Sequence, residues 1–572
     1  MLSQHSETVI AASIETPRST SFNRLGDSLQ ELATHRIRVS TIGDMLLEAA
    51  DKHPDNAALI FPDCRLSYAD LVARAYSRAH SLTAYGVGAG DAVGVLMPNC
   101  LEYMELLLGC HFIGALAVPM NARYRATELS YVVENADLKV LVTSDLVSEY
   151  ADFALLLQAA LPELAAADAS QPLSLVAAPR LRHAVMLGAS EPAGFVSRAQ
   201  FEEGGAHVKR EDIDNLRAQV RVEQPAIMMY TSGTTANPKG CPLSHALLTR
   251  NGANMNRERY FLTADDVFWA PLPMFHMAAI LPFIACLDAG AALASMTHID
   301  TGEALAMMAR EKVSIAFPAF PTITNDLINH ASFAATDLSR LRRINNVAPI
   351  ETLRKFQSAF APAIQTGAYG LTEAGGVIAF NHPDESLDER LTTCGVPFPG
   401  IEVQITDPDS FEPLATGQQG ELWVRGYCVF DGYHKSPEKN AEAFHEGWFR
   451  TGDLCSVSVN NSISYHGRIK DMLKVGGENV AAIEIESFLA KHPAVALAQV
   501  IGKPDARLEE VPVAFIERVP GVEVSAEELL AHCQGEMASF KVPREVHFVT
   551  QWPMSSTKVQ KFRLKDLLQT ES

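Results

Sequence analysis

The stretch Tyr230–Gly240, YTSGTTANPKG, follows directly on the apolar run AIMM at 226–229, and its reading decides the fold. Within it stand five hydroxyl residues, two glycines and one lysine. A phosphate cradle needs several N–H or O–H donors converging on one point, small residues that let the backbone approach, and a cation. This loop supplies each of them. It is not a Walker loop, because the spacing G-x-x-x-x-G-K-[ST] is absent: Pro238 stands before Lys239 and Gly240 after it. A lone polar loop of this kind is usually a surface turn, but its place behind a buried strand favours an anion site.

Working outward, the text alternates from residue 92 onward. AVGVLM (92–97), ALAVPM (115–120) and KVLVTSD (139–145) read as strands, whereas EYMELLLGCHFIGA (102–115) and ATELSYVVENAD (126–137) read as helices. Strands alternating with helices of this length predict mostly parallel sheets covered by helices, an α/β fold that binds ligands at the strands' carboxyl ends. LSHALLTRNGANM (243–255) is expected as the helix that follows the polar loop. Beyond 467 the style changes to a compact α+β unit. Its expected order is helix IEIESFLAKHP (483–493), strand ALAQVIG (496–502), strand VPVAFIERV (511–519), helix SAEELLAHCQGEMASF (525–540) and strand VHFVTQ (546–551). Ser525 and Glu528 form a capping-box signature for the second helix. The expected organisation is a loose extension over 1–38, a large domain over 39–466 and a small domain over 467–572.

At 572 residues the chain is long enough for more than one folding unit. Apolar residues make up 47% and charged residues 20%, and the longest apolar stretch, MAAILPFIACLDAGAALASM (277–296), carries Asp288 in its middle, so it reads as buried and not membrane-spanning. The N-terminus lacks a basic segment followed by an apolar core, the mark of a secretory signal. Nine cysteines without a C-x-x-C pair read as core thiols of a reducing, cytoplasmic compartment. The net charge of −21 argues against nucleic acid or an anionic membrane as partner, so an anionic ligand must be captured by a local site.

YTSGTTANPKG resembles the phosphate-loop signature of the adenylate-forming enzymes, the superfamily of acyl-CoA synthetases, peptide-synthetase adenylation domains and beetle luciferases. The resemblance recurs in order through PLPMFHMAA (271–279), AYGLTEAGG (368–376), GELWVRG (420–426), WFRTGDL (448–454), GRIKDMLKVGGENV (467–480) and KVQKFRLK (558–565). An ordered set of this length is far more specific than any single motif.

The resemblance implies roles residue by residue. Thr231, Ser232, Gly233, Thr234, Thr235 and Lys239 would hold the phosphates of ATP. In YGLTE, Tyr369 would stack on the adenine with Gly370 beside it, Thr372 would bond a phosphate, and Glu373 would hold Mg²⁺, for which a hard carboxylate oxygen is suited. Taken alone, Thr372 and Glu373 also fit an N-capped helix start. Asp453 would accept the ribose hydroxyls, with Arg468 as its partner. Ala348 would line the nucleotide, and His276, Val347 and Gly375 the acyl group, with His276 also catalytic. Lys558 would bridge the attacking carboxylate and the α-phosphate; a solvated basic face over 558–565 is the bland reading. Lys474, Gly476 and Gly477 would face CoA after rotation of a mobile C-terminal domain about Lys470.

Three departures stand against the family's pattern. PMSSTK (553–558) is one residue shorter than the usual Pro-x-Thr-x-x-Gly-Lys, and Ala236 replaces a frequent glycine. NNVAP (345–349) replaces the usual GGAP, which is expected to fill space between adenine and acyl group with Asn346 and Val347. Ala278, Ala279, Gly375 and Gly376 act in the opposite sense, as small residues beside the pocket motifs. The implied activity is an AMP-forming carboxylate–CoA ligase that takes ATP, Mg²⁺ and CoA, with a medium- or long-chain fatty acid as first substrate class and aryl, alicyclic or steroid side-chain acids as the alternative. Acyl transfer to a carrier protein and a non-catalytic acyl-nucleotide sensor are the rival readings.

Overall fold

The structure, a computed structural model, describes residues 39–231, 237–475, 478–505, 507–534, 536–554 and 559–570. Its framework is two seven-stranded sheets. One runs, in spatial order, Phe195–Ser197, His183–Met186, Leu138–Thr143, Ala92–Leu96, Leu116–Pro119, Pro225–Thr231 and Lys239–Ser244, parallel except for the last pair. The other runs Ile364–Thr366, Arg343–Asn346, Ile315–Ala319, Val267–Trp269, Ala292–Ala294, Ala57–Phe61 and Cys64–Ser67, again parallel up to an antiparallel last pair. Strands such as Ala92–Leu96 and Ile315–Ala319 are buried at every position, which is why they read as continuous apolar runs without alternation.

The helices between the sheets are apolar nearly all round, as burial on several faces requires. Leu101–Phe112 buries every residue from Tyr103 to Phe112, and Met277–Ala289 is buried along most of its length. Asp288, the charge inside the long apolar stretch, accepts bonds from Asn256 Nδ2 at 2.8 Å and Arg257 Nε at 2.9 Å, so the stretch is a paired core helix and strand. Among the described residues no helix is long and apolar enough to cross a membrane.

The chain between the helix-covered sheets and the C-terminal unit is antiparallel throughout, which the sequence reading of mostly parallel sheets did not separate. A three-stranded sheet holds Ala368–Leu371, Gly376–Phe380 and Val396–Pro397, and a five-stranded sheet holds Ile401–Thr406, Gly420–Gly426, Phe444–His445, Trp448–Val457 and Ile463–Arg468. Trp448–Val457 alternates buried and half-buried positions along most of its ten residues, and polar or charged residues interrupt the apolar ones in it and in Ile401–Thr406, so these strands lack the unbroken apolar runs of Ala92–Leu96 and Ile315–Ala319. The strand Ile463–Arg468 runs through the position expected as a boundary, 466/467; the change of sheet falls at the three-residue 3-10 turn Ile469–Asp471.

From there a further five-stranded sheet is built from Glu478–Ala481, Met472–Val475, Glu509–Arg518 and Val495–Asp505, with Glu545–Phe548 parallel to Glu509–Arg518. It has its own apolar clusters, one around Leu473, Ile485, Val500, Ile516 and Leu529. Ser525 and Glu528 form the expected capping box, with Ser525 N donating to Glu528 Oε2 at 2.8 Å and Glu528 N to Ser525 Oγ at 3.2 Å. The helix it opens ends at Cys533, not near 540 as expected, because Gln534 turns to extended backbone at ψ 129°.

Candidate active site

The polar loop is carried by a hairpin. Strand Pro225–Thr231 pairs antiparallel with Lys239–Ser244, in register Tyr230↔Gly240 and Thr231↔Lys239, so the loop is closed at its neck by backbone ladder bonds. The expected helix, His245–Met255, therefore follows a strand and not the loop itself; it is capped by Ser244, whose side chain accepts from Leu247 N. Ser232, Gly233, Thr234, Thr235 and Ala236 lie outside the described residues. At the neck, Lys239 Nζ sits 4.3 Å from the ring centroid of Tyr433, a cation–π contact that fixes the ammonium beside the loop.

The carboxyl end of Ile364–Thr366 leads into Tyr369–Glu373. Thr372 does not cap a helix: Leu371 precedes a three-residue 3-10 turn, Thr372–Ala374, in which Thr372 is the first residue. The helix-start alternative is thereby removed. Gly370 is required sterically, because a Cβ there would lie 1.7 Å from Gly376 O. Gly375 takes φ +69°, and a Cβ on it would meet Leu247 Cδ2 at 2.2 Å, so its small size serves packing on helix His245–Met255. Behind the turn, Asn251 Nδ2 lies 3.2 Å from the carbonyls of Ala374, Gly375 and Val377, while Tyr427 OH donates to Asn251 Oδ1 at 2.8 Å. The turn is thus braced from inside the protein.

Tyr369 and Asp453 meet. Tyr369 OH donates to Asp453 Oδ2 at 2.6 Å, and Arg468 Nε stands 2.8 Å from Asp453 Oδ1. Asp453 and Arg468 are fifteen residues apart in sequence but directly opposite in the ladder between Trp448–Val457 and Ile463–Arg468. Burial, followed by the Asp453 charge, raises the Tyr369 phenol well above its ordinary range, so it stays a donor. Burial and the Arg468 and Lys239 charges lower the Lys470 ammonium; the 3-10 turn brings it toward the same cations.

Glu373 fits a cation site. It is half-buried, and Tyr433 OH donates to its Oε1 at 2.9 Å, which leaves Oε2 as a hard oxygen donor among the described residues. Val347 and Ala348 lie just beyond the carboxyl end of Arg343–Asn346, next to the strand that leads to Tyr369. Val347 is 54% exposed, with its N–H on Ala319 O at 2.8 Å. Asn346 does not fill the space expected of it. Its side chain is fully buried, accepting from Thr324 Oγ1 at 2.5 Å and donating to Gln365 Oε1 at 2.9 Å, so it belongs to an interior polar network. His276 precedes helix Met277–Ala289, whose Met277 Cβ is 3.2 Å from where a Gly376 side chain would begin.

Lys474 is exposed on the hairpin Met472–Val475/Glu478–Ala481, while Gly476 and Gly477 at its tip and Lys558 lie outside the described residues. The loop holding Lys558 is closed by a bridge between Met554 and Val559 and by Gln560 N on Pro553 O at 2.7 Å. Tyr433, Asn440, Asn251 and Tyr427 were not singled out from the sequence. For Tyr433 and Asn440 the signal was the GYHKSPEKN segment at 432–440, where a glycine, an aromatic and a proline turn lie between two recognised motifs; Asn251 sits inside the expected helix 243–255 and Tyr427 directly after GELWVRG. A cavity of about 380 Å³, lined by Cys100, Ser144 and Arg198 among others, shares no lining residue with this site.

Tyr369, Asp453 and Arg468 thus meet across neighbouring antiparallel strands, with Glu373 in the turn that follows Tyr369. The AMP-binding enzyme family matches residues 46–434, and the AMP-binding enzyme C-terminal domain matches 484–558. The chain belongs to the AMP-binding enzyme family, the adenylate-forming superfamily, and is an AMP-forming ligase of the acyl-CoA synthetase type. YngI of Bacillus subtilis, provisionally named an acyl-CoA synthetase, is 34% identical over 92% of this chain and 97% of its own length. The medium-chain acyl-CoA ligase ACSF2 of Macaca fascicularis, named as mitochondrial, is 30% identical over 95% of this chain and 89% of its own. Among solved structures, the anthranilate CoA ligase AuaEII in complex with anthranoyl-AMP superposes with a TM-score of 0.82 at 25% identity, covering 94% of this chain and 99% of that one.

Proposed function

We propose that the chain joins a medium-chain fatty acid to CoA through an acyl-AMP. The reading rests on one observation above all, the junction of Tyr369, Asp453 and Arg468, with Glu373 in the turn that follows Tyr369. In the first half-reaction a carboxylate oxygen of the acid attacks the α-phosphorus of ATP, the bond to the bridging oxygen breaks, and pyrophosphate leaves. In the second, the CoA thiolate attacks the acyl carbon, the bond to the phosphate oxygen breaks, and AMP leaves. Tyr369 would bound the adenine, Asp453 would accept the ribose hydroxyls, and Thr372 and Lys239 would bind phosphate oxygens. Mg²⁺ held by Glu373 would neutralise phosphate charge. Lys558 would bridge the two anions of the first step, and rotation about Lys470 would bring Lys474 toward the adenylate.

The acid class draws support from ACSF2, and a second class from another relative. A 3-(7a-methyl-1,5-dioxo-octahydro-1H-inden-4-yl)propanoyl:CoA ligase of Mycobacterium tuberculosis is 32% identical over 90% of this chain and 96% of its own, which favours bicyclic propanoic acids as the second reading. Nine free cysteines, seven of them buried, favour a reducing compartment such as the cytoplasm. The test is CoA-dependent AMP release across straight-chain, aryl and bicyclic acids. A kcat/KM maximum at six to twelve carbons, about tenfold above the ring acids, supports the first reading; a maximum on bicyclic acids replaces it with the second. Adenylation without transfer to free CoA would point to a carrier protein, and no pyrophosphate exchange with any acid would point to a sensor.

A further inference from the structure

Between the recognised motifs GELWVRG and WFRTGDL, the segment 428–440 folds onto the site and delivers one phenol to it. Tyr433 is nearly buried, and its OH donates to Glu373 Oε1 at 2.9 Å. The segment's backbone is clamped by a single side chain: Asn440 Oδ1 accepts from Tyr433 N at 2.7 Å, and Asn440 Nδ2 donates to Tyr433 O at 3.0 Å. Gly432 adopts φ +133°, with the Asn440 amide occupying the place where a side chain would begin, so this turn admits only glycine there. Two more backbone bonds stitch the segment to the site, Phe430 N to Glu373 O at 3.0 Å and His434 N to Gly240 O at 2.9 Å. The Tyr433 ring packs edge-on against Phe430 and carries the Lys239 ammonium on its face.

The geometry points to Tyr433 as the positioning residue of the metal–phosphate half of the site, its hydroxyl fixing one oxygen of Glu373 so that the other faces the cation, and its ring fixing Lys239 for the phosphates. This rests on the reading of Glu373 as the Mg²⁺ ligand. Two physical arguments carry it beyond a packing role. A carboxylate that binds Mg²⁺ through one oxygen gains from having the other held, because the free rotation that would otherwise be lost on binding is already removed. A phenol is suited to that task, since it brings a donor without bringing a charge that would compete with the cation. The same side chain thus sets two groups of opposite charge that stand on different elements, one at the hairpin neck and one in the 3-10 turn.

The test compares Tyr433→Phe, Tyr433→Leu, Glu373→Gln and the Tyr433→Phe/Glu373→Gln pair, reading ATP affinity by titration calorimetry in Mg²⁺ and in EDTA, with melting curves as the check on folding. The Phe variant keeps the ring and its packing. It should lose about tenfold of the Mg²⁺-dependent gain in ATP affinity, while its affinity in EDTA stays within about twofold of the parent. In the Glu373→Gln background the Phe substitution should add nothing. The Leu variant should also weaken ATP binding in EDTA, because Lys239 loses its platform. A Phe variant with the parent's Mg²⁺ gain, or one that loses affinity equally with and without Mg²⁺, overturns the assignment. So does a melting temperature lowered together with both affinities, which marks a packing residue. If Glu373→Gln keeps the full Mg²⁺ gain, the metal reading of Glu373 fails and the assignment falls with it. If Glu373→Gln loses the gain and Tyr433→Phe does not, only the assignment of Tyr433 fails.

Discussion

Asp453 and Arg468 occupy one rung of an antiparallel ladder, with Arg468 Nε 2.8 Å from Asp453 Oδ1 and the second carboxylate oxygen taken by Tyr369 OH. One carboxylate therefore ties the wall expected for the adenine to the last strand before the change of sheet. Asp453→Asn keeps the shape and removes the charge that Arg468 faces. AMP affinity, measured calorimetrically, should fall by about tenfold or more, and the melting temperature should drop with a loss of about 1–3 kcal/mol. If stability falls while AMP affinity holds, Asp453 is a strut between Tyr369 and Arg468 and not the ribose acceptor.

The two half-reactions should separate by mutation. Lys558→Ala should abolish acyl-AMP formation, read by pyrophosphate exchange, yet leave the reaction of synthetic acyl-AMP with CoA nearly intact. Lys470→Pro, at the turn Ile469–Asp471, fixes φ near about −65° and should leave adenylation while stopping CoA transfer. Lys565→Ala, on the same basic run, should change neither step by more than a surface substitution does. Equal losses in both steps for Lys558→Ala would return that run to the status of a solvated face.

Neighbouring residues of NNVAP should respond in opposite ways. Val347, half-exposed at the strand end, can change the acids accepted: Val347→Gly should move the kcat/KM ranking toward bulkier acids by about 1–3 kcal/mol at most, with little change in stability. Asn346→Ala should instead take from Thr324 Oγ1 its acceptor and from Gln365 Oε1 its donor in the interior and cost about 1–3 kcal/mol of stability, with the acid ranking unmoved. A ranking that follows Asn346 and ignores Val347 would reverse the assignment.

A buried histidine should make stability pH-dependent. His245 Nδ1 accepts from Ile42 N at 3.2 Å, and the His111 ring lies 5.3 Å away. Burial lowers the His245 pKa from 6.5 to about 4, against the opposing charge of Asp44. Because the folded value is depressed, the unfolded chain takes up the proton first as pH falls. The contribution is complete above about pH 6.5 and is lost progressively down to about pH 4, amounting to about 3 kcal/mol. Melts between those limits should show the slope, and His245→Asn, which keeps an acceptor for Ile42 N without titrating, should reduce it but not abolish it, because burial also lowers the pKa of the neighbouring His111.

How far the sequence was legible follows from what each element is made of. Ala92–Leu96 announced itself because a parallel strand buried on both faces is written as an unbroken apolar run, and Leu138–Thr143 did so through the VLV at its centre, between Lys139 and Thr143. Lys239–Ser244 did not: KGCPLS has a proline, a glycine and no alternation, and becomes a strand only because Pro225–Thr231 offers it a partner. The site was legible where a motif names residues that meet, as with Asp453 and Arg468. Asn346 was misjudged because its place in the motif says nothing about which way the side chain turns, and that is decided by Thr324 and Gln365 on other elements. Tyr433 was invisible because its function depends on Asn440 bending the chain, a relation that no periodicity records.

Strand Lys239–Ser244 is also the outermost strand of its sheet, the place where a second polypeptide can add itself and begin aggregation. Lys239 and Pro242 discourage such addition, and the Gly240 carbonyl is already taken by His434 N. The segment that bonds to Glu373 therefore also covers part of this sheet edge. One stretch, 428–440, thus touches both the Glu373 turn and the open edge of the seven-stranded sheet, so a change that loosens it reaches the two places together.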